Sequence, residues 1–103
     1  MSEEIRPSTI RYGVIGTGMM GVEHILNINA VDGTIVTALA DPHQASLDAG
    51  AAAADEKVAT FTHYQDLLDS NLCDALVIAS PNMTHVGVLS DALETDLHML
   101  VEK

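Results

Sequence analysis

Positive charge is nearly missing from this chain. Its 103 residues hold only four lysines and arginines (Arg6, Arg11, Lys57 and Lys103) against 15 aspartates and glutamates, for a formal charge of −11. A surface of that sign repels nucleic-acid phosphates and anionic lipid headgroups, so neither nucleic acid nor a membrane is expected as a partner. Aromatic residues are scarce as well. One Phe, two Tyr and no Trp leave little to stack on bases. Cys73 stands alone, which excludes a disulfide framework and a thiolate metal cage. The histidines are scattered without ligand spacing, and no metal is expected. No apolar run approaches the length of a membrane span, and residues 1–9 read as a polar leader without a signal-peptide core. A G-x-S-x-G turn, a Walker lysine and paired carboxylates are also absent, leaving hydrolase and kinase chemistry without support. The composition is that of a soluble, cytoplasmic chain.

What is present is an alternation. Hydrophobic residues make up 48% of the sequence, nearly all aliphatic or alanine, enough for one small core. Apolar, β-branched runs predict strands over 10–15, 34–40, 58–61, 74–79 and 98–102. Between them lie predicted helices over 19–31, 43–56 and 64–69, and a fourth opening at Ser80-Pro81-Asn82. The first helix has Ile25, Leu26 and Ile28 on its apolar side and ends at Asp32-Gly33, with glycine as a left-handed cap. The second is alanine-rich and weakened by Gly50. The fourth aligns Val86, Leu89 and Leu93. Short connections between alternating elements mean parallel strands joined by right-handed crossovers. The expectation is an open, mainly parallel, doubly wound α/β sheet with strand order 3-2-1-4-5, a fold of the dinucleotide-binding (Rossmann) type.

The first strand runs into Gly16-Thr17-Gly18-Met19-Met20-Gly21, the G-x-G-x-x-G order between a strand and a helix. Gly16 allows the tight turn, Gly18 lets a pyrophosphate reach the backbone, and Gly21 brings helix and strand together. The first amides of the helix and its dipole then hold phosphates without a basic side chain. That suits so acidic a protein. Asp41 closes the second strand about 20 residues further on, where a carboxylate accepts bonds from the adenosine ribose. The plainer alternative, ranked second, is a helix N-cap before Pro42, and the roles are compatible. A 2′-phosphate about 4 Å from that carboxylate would meet roughly 4 kcal/mol of repulsion per unit charge. Pro42, His43 and Gln44 supply no permanent cation, so NAD is favoured over NADP. Ser80, Pro81 and Asn82 end the fourth strand at the same crevice, as ligand groups or as caps. His85 could donate to a ligand or simply pack.

The segments GTGMMGVEH, ALADP, DALVIASPNMTH and HMLVEK, in this order, resemble the N-terminal half of the glucose–fructose oxidoreductase/inositol dehydrogenase/rhizopine-catabolism family (Gfo/Idh/MocA) over 10–103. The resemblance implies a two-domain NAD(P)-dependent oxidoreductase passing hydride between nicotinamide and a sugar, polyol or related hydroxyl or carbonyl compound. It further implies that Glu102 binds the nicotinamide ribose. Lys103, the lysine of the family's Glu-Lys-Pro motif, would contact the nicotinamide ribose and substrate and assist proton transfer. A cationic lysine beside a hydroxyl losing its proton is suited to that task. The family's glycine before the last strand is replaced here by Thr95-Asp96, and the motif's proline, a sixth strand and the substrate domain are not in the sequence. The chain therefore reads as an incomplete dinucleotide-binding domain (10–103), not expected to turn over alone and expected to self-associate through the open edge of its fifth strand. The other reading is a stand-alone, non-catalytic module that binds NAD as a sensor or mediates protein interaction.

Overall fold

A computed structural model describes residues 10–54, 58–79, 82–95 and 97–101. Nine elements follow one another: β1 (Ile10–Ile15), α1 (Met19–Asn29), β2 (Thr34–Ala40), α2 (Gln44–Ala54), β3 (Ala59–Phe61), α3 (Tyr64–Leu68), β4 (Ala75–Ile78), α4 (Asn82–Leu93) and β5 (His98–Val101). The strands form one sheet in the order β3-β2-β1-β4-β5, with every pairing parallel. This is the expected doubly wound arrangement. The polar leader lies outside the described residues.

Alternating residues of the central strands bury side chains on both faces, which is why these strands read as unbroken apolar runs. Val14, Val36, Leu39 and Val77 meet Ile25 of α1 and Leu47 of α2 on one face. On the other, Ile15, Leu76 and Ile78 pack with Leu67 of α3 and with Val88 and Ala92 of α4. Among the described residues no helix is long and apolar enough to cross a membrane.

The helix faces depart from the sequence reading. Ile25 is fully buried but Leu26 is 53% exposed, because a 100° step takes it off the line through Gly21, Ile25 and Ile28. On α4 the buried pair is Val88 and Ala92, spaced four apart, and Leu93 is 64% exposed. The side chains of Val86 and Leu89 lie outside the description. Helix α1 also stops earlier than expected, at Asn29, whose side-chain amide donates to the Ala54 carbonyl and accepts from Val36 N–H (both 3.0 Å). Ala30, in right-handed geometry, is the C-cap. Gly33 does have a positive φ of 91°, but in the turn into β2 rather than at the helix end. Thr95, for its part, closes α4 through its own hydroxyl, which donates to the Ala92 carbonyl and accepts from Leu97 N–H.

At the amino ends of β1 and β4, Arg11 clamps Asp74. The guanidinium donates to both carboxylate oxygens (2.9 and 3.1 Å), Arg11 N–H adds a third bond, and Asp74 N–H returns one to the Arg11 carbonyl. These bonds hold the Asp74 carboxyl down to about 2 from an ordinary 3.8. A depressed carboxyl stabilises the fold above its ordinary value, and that contribution is lost as pH falls through about 2. Solvent screens this pair, so Asp74→Asn should cost about 0.5–1 kcal/mol at neutral pH. Thermal melts of the two proteins should converge between about pH 4 and pH 2. A gap undiminished at pH 2 would mean that the clamp's charge is irrelevant.

Candidate functional site

The carboxyl ends of β1, β2 and β4 meet at one corner. Gly16 leaves β1 with φ of 94°, a conformation that side-chain-bearing residues rarely adopt. Its N–H donates to the Ala40 carbonyl (2.7 Å), while Ala79 N–H donates to the Ile15 carbonyl (2.8 Å), so the turn is tied to strands on both sides. Helix α1 starts immediately after, with Gly18 as an N-cap that brings no side-chain bond. The first amides of a helix have no partner within it, and here they open at the strand ends. A Cβ on Gly21 would run into the Gly16 carbonyl oxygen, whereas one on Gly18 would meet nothing within 4 Å. Gly21 is thus a packing glycine, and Gly18 borders open space.

Asp41 is only 9% exposed at the end of β2. Its Oδ2 accepts Thr17 N–H at 2.9 Å, and Oδ1 accepts His43 N–H at 2.8 Å. The exposed His43 ring stands beside it, with Nδ1 3.3 Å from Oδ1. The bond to His43, two residues on, makes the turn into α2, so the capping half of the sequence reading is present in a modified form. Asp41 is not the residue whose carbonyl opens the helix; that is His43, which accepts Leu47 N–H.

Between the Gly18 turn and α2 runs an open groove lined by Thr17, Gly18, Val22, Ala45, Ser46 and Ala49. Thr17 is 1% exposed, and its buried hydroxyl has no hydrogen-bond partner among the described residues. Gly50 explains why Thr17 fits there. A Cβ at position 50 would lie 3.0 Å from Thr17 Cβ and 3.1 Å from Leu39 Cδ1. The residue that reads as a helix weakness is the seat of the glycine turn. Its partner lies far away in sequence, but the small residues at 45, 46, 49 and 50, one helical face, were a usable signal.

Gly16, Thr17, Gly18, Gly21 and Asp41 are therefore brought together as the sequence implies. Met19 and Met20 open α1 beside them, with side chains outside the description. Asn82 and His85 belong to the first turn of α4, which follows β4, and their side chains are likewise not described. Ser80, Pro81, Glu102 and Lys103 lie outside the described residues, as does Asp96. Among the described residues no cluster of His, Cys, Asp or Glu could hold a metal ion.

A parallel sheet in this order, with a glycine corner and an acidic residue ending the second strand, defines a dinucleotide-binding domain. Residues 10–103 match the oxidoreductase family with an NAD-binding Rossmann fold (GFO_IDH_MocA), and the chain belongs to that family. It is similar to inositol 2-dehydrogenase 2 of Paenarthrobacter aurescens, 41% identical over 97 residues covering 91% of this chain and 28% of the relative. Among solved structures it resembles myo-inositol dehydrogenase from Lactobacillus casei in complex with NAD(H) and myo-inositol. There the TM-score is 0.86 at 29% identity, covering 92% of this chain and 28% of the other. A 3-ketoreductase from Actinomadura kijaniata, solved as a Y186F mutant with TDP-benzene and NADP, gives a TM-score of 0.80 at 27% identity, covering 92% and 29%. The chain spans little more than a quarter of the length of these relatives.

Proposed function

We propose that this chain is the nucleotide-binding part of an NAD-dependent oxidoreductase acting on a polyol, sugar or related hydroxyl or carbonyl compound. The observation that carries the reading is the corner itself. Gly21 is packed so closely that no side chain fits, Gly18 faces open space, and a buried carboxylate stands beside them. These residues fit a dinucleotide. The main-chain amides of 18–21 would take the pyrophosphate, aided by the positive end of α1. Asp41, with two bonds already made, has lone pairs left for the adenosine ribose. The groove along Ala45, Ser46 and Ala49 would lie alongside the adenosine half. Bound nicotinamide supplies a carbon that accepts or donates hydride.

The rest of the machinery follows from the family resemblance. Glu102 would hold the nicotinamide ribose, and Lys103 would stabilise negative charge on a substrate oxygen losing its proton. Ser80, Pro81, Asn82 and His85 would border the same crevice at the end of β4. Substrate recognition falls to a further domain outside these 103 residues, and the chain alone binds cofactor without turnover. Calorimetric titration of the chain tests this reading. NADH is expected to bind at least tenfold more tightly than NADPH, because a 2′-phosphate would face the Asp41 carboxylate. Absence of any heat with either cofactor at millimolar concentration would overturn the assignment, and equal affinities would remove the argument from Asp41.

A further inference from the structure

We propose that Asp41 is a positioning residue for the glycine corner, in addition to any role as acceptor for the ribose. The inference rests on the dinucleotide-binding reading above but concerns the corner before any ligand arrives. Thr17 is the one residue between Gly16 and Gly18, and both glycines leave its flanking backbone freer than any other residue would. Its peptide N–H is held by Asp41 Oδ2 at 2.9 Å, across 24 residues of sequence. The other carboxylate oxygen is fixed by His43 N–H at 2.8 Å, so the brace is itself anchored at the start of α2. The Thr17 side chain is buried beside Gly50 of α2, where the missing Cβ makes room for it. Carboxylate, amide and helix together hold the turn in place at the start of α1.

Electrostatics gives this proposal an unusual sign. Asp41 is an anion beside a site for anions, on a chain of formal charge −11. If it served only to accept ribose hydroxyls, its removal would leave a ligand lacking those hydroxyls unaffected or bound more tightly, since repulsion falls. If it braces the turn, the same removal weakens that ligand, because the phosphate-binding amides must first be ordered.

The probe is 2′,3′-dideoxyadenosine 5′-diphosphate, titrated by calorimetry against wild type and Asp41→Ala well below their melting temperatures, with NADH in parallel. Asp41→Ala is expected to weaken the dideoxy compound five- to tenfold and NADH by a larger factor. In the ligand-free protein, hydrogen exchange at the Thr17 amide should accelerate at least tenfold. Asp41→Asn offers one carbonyl oxygen to two main-chain donors, so at least one of the Thr17 and His43 amides should exchange faster, with two- to fivefold weaker binding of the dideoxy compound. That variant carries the test should Asp41→Ala fail to fold. Unchanged or tighter binding of the dideoxy compound, or unaltered exchange at both amides, overturns the proposal. If wild type binds neither compound, the cofactor reading fails instead, and exchange at Thr17 still decides the brace.

Discussion

Replacing Gly21 by alanine is expected to weaken dinucleotide binding by more than a hundredfold, about 2.7 kcal/mol, and to destabilise the fold by about 2–3 kcal/mol. The added methyl would fall on the Gly16 carbonyl oxygen and lie 2.9 Å from the Gly16 carbonyl carbon. Both belong to backbone, and neither can swing aside as a side chain would. Either α1 rises off the sheet, losing the contacts of buried Ile25, or the Gly16–Thr17 peptide rotates and breaks the bond from Thr17 N–H to the Asp41 carboxylate. Both movements redirect the amides at the start of the helix. Gly18→Ala is the control. Position 18 has φ of −71° and open space where a Cβ would stand, so the fold should lose only the difference between glycine and alanine as an N-cap, about 0.5–1 kcal/mol. Binding should nonetheless fall, because the methyl occupies the approach of the pyrophosphate. Thermal melts and NADH titrations of the two variants separate packing from ligand access. A Gly21→Ala protein with wild-type melting and affinity would show that the close approach of helix to turn is dispensable.

Much of this arrangement was readable because its signals are local. β1 and β2 have the limits the sequence predicts, since Gly16 stops one and the Asp41-Pro42 pair stops the other. The strand order follows from alternation and short connections, which restrict the chain to a few topologies. Less legible was which side of each helix meets the sheet. Leu26 and Leu93 are as apolar as the buried residues, and only the placement of Gly21 and Ala92 at the contact line turns them outward. A leucine attracts attention in a sequence, yet close packing at α4 uses alanine. Hidden altogether were couplings between distant residues. Gly50 lacks a side chain because Thr17 and Leu39 occupy its space, and the carboxylate of Asp41 is partly spent on Thr17. The small residues at 45, 46, 49 and 50 mark a face of close approach, but nothing within a short window of sequence names the partner in either contact.

Leu39→Ala should be the most damaging core truncation in this half of the molecule, at about 2–5 kcal/mol. Leu39 is fully buried on β2, among Val14, Ile25, Val36, Leu47 and Val77. A domain of this size has only about 5–15 kcal/mol in total, so the melting temperature should drop by roughly 10–30 °C. The position also bears on the site, because Leu39 Cδ1 is one of the atoms that leave no room at Gly50. Gly50→Ala alone gains about 1 kcal/mol of helix propensity. Against that stands about 1–3 kcal/mol for crowding Thr17 and Leu39, and Thr17 cannot retreat while its amide is bonded to Asp41. The net is a modest destabilisation. With Leu39 already cut back, one of the close neighbours is gone and the helix gain comes through more fully. The double variant should therefore be more stable than the sum of the two changes by about 0.5–1.5 kcal/mol. Urea unfolding of the four proteins measures this directly. Strict additivity would mean that Thr17 alone sets the limit at position 50, and that the core beneath the glycine turn does not help to hold it.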